Sequence, residues 1–308
     1  MAGSIFDDLP EQGEPNLHGF QWLDLRRAVE QAPEPLDFVL PGFKSGTVGA
    51  LVSPGATGKT MLALQAAVTV SGGPDMLDFA SMDAAWRRTA GRVVFLTGED
   101  PADVLNGRFH AIGQRLNTAE KQALFDNLSV APLVGHGADV MTFEWRRWIA
   151  DVTLNARLVV IDTLRRFHQL DENDGGHMAR LLAYMERLCR ENSTTVLFLH
   201  HTSKAGALNG GDAQQASRGS SVLTDNARFQ ANLVGMTTEQ AKQFDVDENC
   251  RRNFVRLSFP KVNYSGPIPD QWFRRRDGGL LEPAILGRGT FKNAKAGSFQ
   301  KGGDDERW

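Results

Sequence analysis

In "SPGATGKT", residues 53–60, two glycines precede a lysine and a threonine. Those residue types at that spacing suit a polyphosphate. Gly55 and Gly58 let backbone amides turn toward phosphate oxygens, at the positive end of the helix that follows. Lys59 would reach the β- and γ-phosphates, and the Thr60 hydroxyl would ligate magnesium. Nucleotide contacts are therefore expected along Gly55, Ala56, Thr57, Gly58, Lys59, Thr60 and Met61. The place of the usual first glycine holds Ser53. Pro54 pushes Ser53 toward extended dihedrals, so Ser53 reads as the exit of the preceding strand and needs no glycine freedom.

Three further apolar runs end in residues that can act on a phosphate. "RLVVID" closes on Asp162, at the C-terminal lip of a buried strand, where ligands of open α/β sheets bind. A carboxylate there holds a magnesium shell through water. "RVVFLTGEDP" closes on Glu99 and Asp100. One of them would orient and deprotonate an attacking water; Glu99, nearer the strand end, is preferred, while Asp100 suits the start of the next helix. "TTVLFLHHTSK" closes on His200 and His201, with no Cys or acidic partner at metal-ligand spacing. One of the two is expected to sense the γ-phosphate, with His201 preferred.

The elements that must position these residues follow from the pattern around them. "TVGALV", "GRVVFLT", "NLSVAPL", "ARLVVID" and "TTVLFLHH" read as short buried strands. Helical segments alternate with them: "MLALQAAVTV", "PADVLNGRFHAIGQRL", "NTAEKQALFDN", "FEWRRWIADVT" and "GGHMARLLAYMERLCREN". Asn117 and Glu120 stand at capping-box spacing. Such alternation predicts an α/β fold with a mainly parallel central sheet and helices on both faces. "ARFQANLVGM", "RRNFVRLSFPKVNYSG" and "DQWFRRRDGG" read as C-terminal strands extending that sheet antiparallel. The body runs over 35–285. Residues 1–34 form an arm with a short amphipathic helix, expected to dock on a neighbouring subunit, and 286–308 read as a flexible tail.

Composition narrows the class. The chain of 308 residues is 41% hydrophobic and 23% charged, as soluble globular proteins are. Cys189 and Cys250 stand alone, which suits a reducing cytoplasm. No apolar run reaches membrane-span length, and "MAGSIFDDLPEQGEP" lacks a signal-peptide pattern. A formal net charge of −3 gives no global basic surface, so nucleic acid would need a local basic groove or loop.

In this order, "PLDFVLPGFKSGTVGALVSPGATGKTMLALQ", "GED", "LVVIDTLRRFH", "VLFLHHTSK", "QQASRGSSVLTDNARFQ" and "KVNYSG" resemble the RepA-type hexameric replicative helicases of broad-host-range plasmids, within the RecA-like P-loop ATPases. The likeness spans about 35–285, and the serine heading the phosphate loop also looks like the RepA form. It implies a homo-oligomeric ring of six, ATP and magnesium at each subunit boundary, and single-stranded DNA in a central channel. It also implies 5′ to 3′ unwinding at a plasmid origin, with an initiator and a primase as candidate partners. By position, Lys59 and Thr60 match the phosphate and magnesium contacts, Glu99 the catalytic carboxylate, Asp162 the Walker-B aspartate and His201 the γ-phosphate sensor. Arg228 sits where that family presents an arginine finger to the neighbouring ATP. A planar guanidinium there can spread charge over the transferring phosphoryl oxygens. Lys261 is a candidate for phosphate across the interface, Tyr264 for stacking on adenine, and Arg108 for the other face of the base.

Two loops leave the strand ends beside the phosphate site. "TLRRFHQLDENDGG" carries Arg165 and Arg166; "SKAGALNGGDAQQASRGSS" carries Lys204 and Arg218. Loops this long inside compact domains are usually functional. With Phe167 the only aromatic in either, DNA binding is expected to be backbone-dominated, salt-sensitive and sequence-tolerant. Two other readings stay open: a RecA-like recombination or repair ATPase, and a non-motor ATP switch acting on a partner.

Overall fold

A computed structural model describes residues 22–84, 86–201, 223 and 226–287. The chain divides into two compact units between Leu36 and Asp37. The first holds one short helix, α1 (Leu25–Glu30), capped where the Arg27 amide donates to the Asp24 carboxylate at 3.0 Å. None of its residues is buried.

In the second unit a small antiparallel pair, β1 (Phe38–Leu40) and β2 (Phe43–Lys44), precedes the main sheet. There follow β3 (Val48–Ser53), α2 (Lys59–Val70), α3 (Phe79–Met82), β4 (Val93–Thr97), α4 (Ala102–Gly113) and α5 (Thr118–Asn127). Next come β5 (Leu128–Pro132), α6 (Phe143–Thr153), β6 (Leu158–Asp162), α7 (Gly175–Asn192), β7 (Val196–His201) and β8 (Phe229–Gly235). The helix α8 (Thr238–Gln243) and strands β9 (Phe254–Val262), β10 (Gln271–Arg275) and β11 (Leu281–Ala284) complete the order. The sheet runs β11-β10-β9-β8-β3-β7-β6-β4-β5.

The expected α/β architecture is observed, with one change. β8 pairs parallel with β3, setting Gly49 opposite Phe229, and the antiparallel part begins only at β9. β7 ends at His201 and β8 begins at Phe229, a separation long enough for the crossover that a parallel pair requires.

Side chains alternate between two cores, as the two-residue period of a strand dictates. Val93 and Phe95 on β4, Leu158 and Val160 on β6, and Leu197 and Leu199 on β7 pack with α2. Their neighbours Val94 and Leu96, Val159 and Ile161, and Val196 and Phe198 pack with α6 and α7 on the other face. α2 is buried along nearly its whole length. Its Ala63 and Ala67 are fully buried, so a leucine at either would overpack, costing on the order of 1–3 kcal/mol. The capping box on α5 forms as its spacing predicts: Glu120 N–H donates to Asn117 at 3.0 Å, and Asn117 N–H to Glu120 at 2.8 Å. Among the described residues, no helix is long and apolar enough to cross a membrane.

Candidate nucleotide site

The sheet order places β3, β7, β6 and β4 side by side, so Ser53, His201, Asp162 and Thr97 end together at one edge. Parity then selects the face. His201 and Asp162 share the side of Leu199 and Val160, which faces α2 and thus Lys59 at its first turn. His200 takes the opposite side with Phe198. A cleft of about 400 Å³ opens at this edge, and its walls include Thr57, Lys59, Thr60, Glu99, Asp100, Arg108 and His201.

Ser53 is the buried last residue of β3, as Pro54 predicts. The flexible positions differ from expectation. Left-handed backbone falls at Ala56 (φ 61°) and Gly58 (φ 98°), and not at Gly55. Glycine is the natural occupant of such a conformation, and an alanine there is strained by roughly 1–2 kcal/mol. α2 has Gly58 as its N-cap, which brings no side chain to cap it. Its first-turn amides are therefore left for a ligand at the positive end of the helix.

Behind the loop, charges are held in a chain of contacts. Lys59 Nζ lies 3.4 Å from His201 Nδ1, and His201 Nε2 lies 3.1 Å from Glu99 Oε1. One tautomer satisfies both: Lys59 donates to Nδ1, and Nε2–H donates to Glu99. The Thr163 hydroxyl donates to the same Glu99 oxygen at 2.8 Å. The hydrogen bond from His201 is the main cause of a Glu99 pKa lowered to about 2, with Thr163 and Lys59 adding to it against burial. Burial lowers Lys59 to about 8, though Asp162 and Glu99 pull it back up. Asp162 is 0% exposed, and burial raises it to about 6. Among the described residues neither of its oxygens makes a regular hydrogen bond, although the Thr60 hydroxyl is close enough to offset part of the shift. His200 is lowered to about 4, first by burial and then by Lys59, and is held neutral.

Buried, orphaned carboxylate oxygens beside a threonine hydroxyl are the donor set a hard cation such as magnesium takes, so Thr60 and Asp162 fit that ion.

Other expected residues fall in three groups. Arg108 lines the cleft, but its guanidinium pairs with Asp100 at 2.9 Å. That pairing also accounts for Asp100, which does not cap α4; Pro101 stands at the cap. Arg228, Lys261 and Tyr264 do not line the cleft of their own chain. Arg228 is exposed at the start of β8, and its amide donates to Val48, at the opposite end of β3 from the phosphate loop. Asn263 N–H donates to the Arg228 carbonyl, and Lys44 sits 5.8 Å over the Tyr264 ring, so these residues gather at that far edge. Arg165 and Arg166 are exposed on the turn after β6 and border a second cleft with Gly137 and His168. Lys204 and Arg218 lie outside the described residues. Sequence reading missed Arg275, Gly278 and Gly279, which also line this cleft. The run "RRRDGG" marks a basic turn, yet nothing local says that it folds back onto the phosphate loop.

A mainly parallel sheet with a glycine-bearing loop, a buried aspartate and a strand-end glutamate at one edge defines a P-loop domain of RecA-like fold. The chain belongs to the AAA domain family, whose model matches residues 16–207. Two solved structures share the fold. One is described as an ATPase domain, at 16% identity and TM-score 0.51, covering 85% of this chain and 96% of that one. The other is a DnaB-like replicative helicase described with its interactions with primase. It matches at 15% identity and TM-score 0.54, over 84% of this chain and 66% of that one, so the present chain spans just under two thirds of its length.

Proposed function

We propose that this protein is an ATP-hydrolysing DNA helicase that forms a ring, the six-subunit ring of the RepA-type enzymes, and moves 5′ to 3′ on single-stranded DNA during plasmid replication. The observation that carries this reading is the contact chain Lys59–His201–Glu99. It joins the phosphate-binding lysine to the acid that would activate water, through the residue that ends β7. In this reading Lys59 and the amides of 55–61 hold the phosphates of ATP, and Arg108 borders the base. Glu99 takes the proton of the attacking water. Thr60 and Asp162 would hold magnesium, which would supply neutralisation of phosphate charge. A γ-phosphate competes with His201 for Lys59, so its arrival and departure change what His201 contacts. In the sequence His201 directly precedes the segment carrying Lys204 and Arg218, and Asp162 precedes the turn carrying Arg165 and Arg166, so each candidate DNA contact follows a residue of the phosphate site. Arg228, Lys261 and Tyr264 serve the site of a neighbouring subunit. The likeness to a helicase described with primase makes a primase, alongside an initiator, the partner to examine first.

ATP turnover with and without circular single-stranded DNA tests the reading, with Lys59→Ala as blank. Stimulation by DNA is expected, together with unwinding of a duplex bearing a 5′ tail in preference to a 3′ tail. Arg166→Ala should weaken DNA binding and flatten its salt dependence while basal turnover stays. Turnover indifferent to DNA would favour the non-motor switch.

A further inference from the structure

Arg275 closes β10, more than two hundred residues after the phosphate loop, and its guanidinium reaches back to it. Nη2 donates to the Thr57 carbonyl at 2.8 Å and lies 3.5 Å from the Ala56 carbonyl. A Cβ added to Gly58 would stand 3.5 Å from the same nitrogen. A trans peptide aims its N–H opposite to its carbonyl. Holding these two carbonyls therefore fixes the directions of the Thr57 and Gly58 amides.

Within the loop itself, the Thr57 hydroxyl donates to the Pro54 carbonyl at 2.8 Å, but that bond leaves the Ala56 and Thr57 carbonyls to Arg275. Ala56 and Gly58, both left-handed, flank Thr57, and alanine resists that conformation. The arginine itself stands on a fixed support. Gln65 of α2 is 1% exposed and bonds both ways to Leu281 at the start of β11. Its side-chain amide donates to the Leu281 carbonyl at 2.9 Å, and Leu281 N–H donates back at 2.8 Å. Between the strands, Gly278 lies so close to α4 that an added Cβ would overlap the Ala111 side chain. The hairpin is thus pinned to the two helices that border the cleft.

We propose that the β10–β11 hairpin is a brace for the phosphate loop within the same chain, with Arg275 as the positioning residue that keeps the Thr57 and Gly58 amides aimed at the nucleotide. The proposal rests on the nucleotide reading above. A charged donor to a carbonyl is worth enough that its loss should be measurable as about a tenfold change in affinity.

The test is calorimetric titration of ATP and ADP into the full chain. Arg275→Ala should weaken both nucleotides alike, by about tenfold, with the chain still folding cooperatively and the melting temperature lowered by no more than about a few degrees. Adding Ala56→Gly to that variant should recover about threefold, because glycine holds the left-handed turn unaided. Ala56→Gly alone should change affinity less than about twofold, since the brace already sets the turn in the free protein. Unchanged affinity in Arg275→Ala would overturn the proposal. So would a missing recovery in the double variant, which would make the guanidinium a direct ligand. Should Arg275→Ala not fold, a several-fold gain from Ala56→Gly alone would overturn it as well. Failure of the nucleotide reading looks different: the wild-type chain would not bind ATP, or Lys59→Ala would bind it equally well.

Discussion

Glu99 Oε1 accepts a hydrogen bond from His201 Nε2 at 3.1 Å. The Thr163 hydroxyl donates to the same oxygen, so among the described residues both of these partners fall on one side of the carboxylate. Among the described residues these bonds leave the other oxygen to take a water. Strand order produces this arrangement: β7 lies beside β6, and β4 lies beyond it, so a residue from each meets over the cleft.

Removing either partner should separate their contributions. Glu99→Gln keeps the shape and loses the base, so turnover should fall about 10²- to 10⁴-fold while ATP still binds. His201→Ala removes the main cause that holds Glu99 at about 2, so its carboxyl should return toward the ordinary range. The protonated acid cannot act as a base. The acid limb of the residual rate should then move to higher pH, read from turnover between pH 4 and 8. An acid limb that stays in place would detach His201 from Glu99.

Lys59 gives a pH dependence of opposite sense. Burial lowers its pKa to about 8, and phosphates, which favour the cation, should raise it on binding. Below pH 8 the lysine is already charged. Above pH 8 the free protein must take up a proton to bind, and affinity should fall by as much as about tenfold per pH unit. Calorimetry at pH 7 and 9, in two buffers of different ionisation enthalpy, reads the proton directly. Heat at pH 9 that does not depend on the buffer would place Lys59 off the phosphates. Lys59→Ala should abolish hydrolysis.

His200, buried on the opposite face, should govern acid stability. Its folded pKa of about 4 lies below the ordinary value of 6.5, so the unfolded chain gains a proton that the folded chain refuses. Stability from this group is full above pH 6.5 and is lost as pH falls toward 4, with a slope of up to about 1.4 kcal/mol per unit. Urea midpoints at pH 7 and 5 should converge in His200→Phe relative to the wild type. An equal fall in both proteins would mean another group dominates.

How much of this was legible depends on the range of the signal. Asp162, Glu99 and His201 were readable because each follows a run of apolar residues, and a parallel strand places its last residues at the ligand edge. The bounds of α6 and α7 came out as read, since local signals set them; α7 opens where Asp174 takes the Gly176 and His177 amides. Arg275 was not readable, because its contact with Thr57 spans 218 residues and depends on hairpin register. The left-handed position at Ala56 was hidden for a different reason: the loop's glycines suggested freedom at Gly55, where the fold does not use it. The direction of β8 had the largest consequence. Read as antiparallel to β3, it would start at the phosphate-loop end; observed as parallel, it starts at the far end and carries Arg228 there.

That position makes a strict prediction for Arg228. With its amide bonded to Val48, five residues of strand before Ser53, its guanidinium cannot serve the phosphates of its own chain. A strand of that length spans about 17 Å. If the arginine acts on phosphate at all, it acts on a neighbour. Arg228→Ala should therefore lower turnover by about 10³-fold or more, while nucleotide affinity and the fold persist. Subunits carrying Arg228→Ala should recover activity when mixed with Lys59→Ala subunits, because one mixed boundary in the assembly pairs an intact loop with an intact arginine. The measurement is turnover across a series of mixing ratios. No recovery at any ratio, with mixed assembly verified by mass, would remove Arg228 from catalysis.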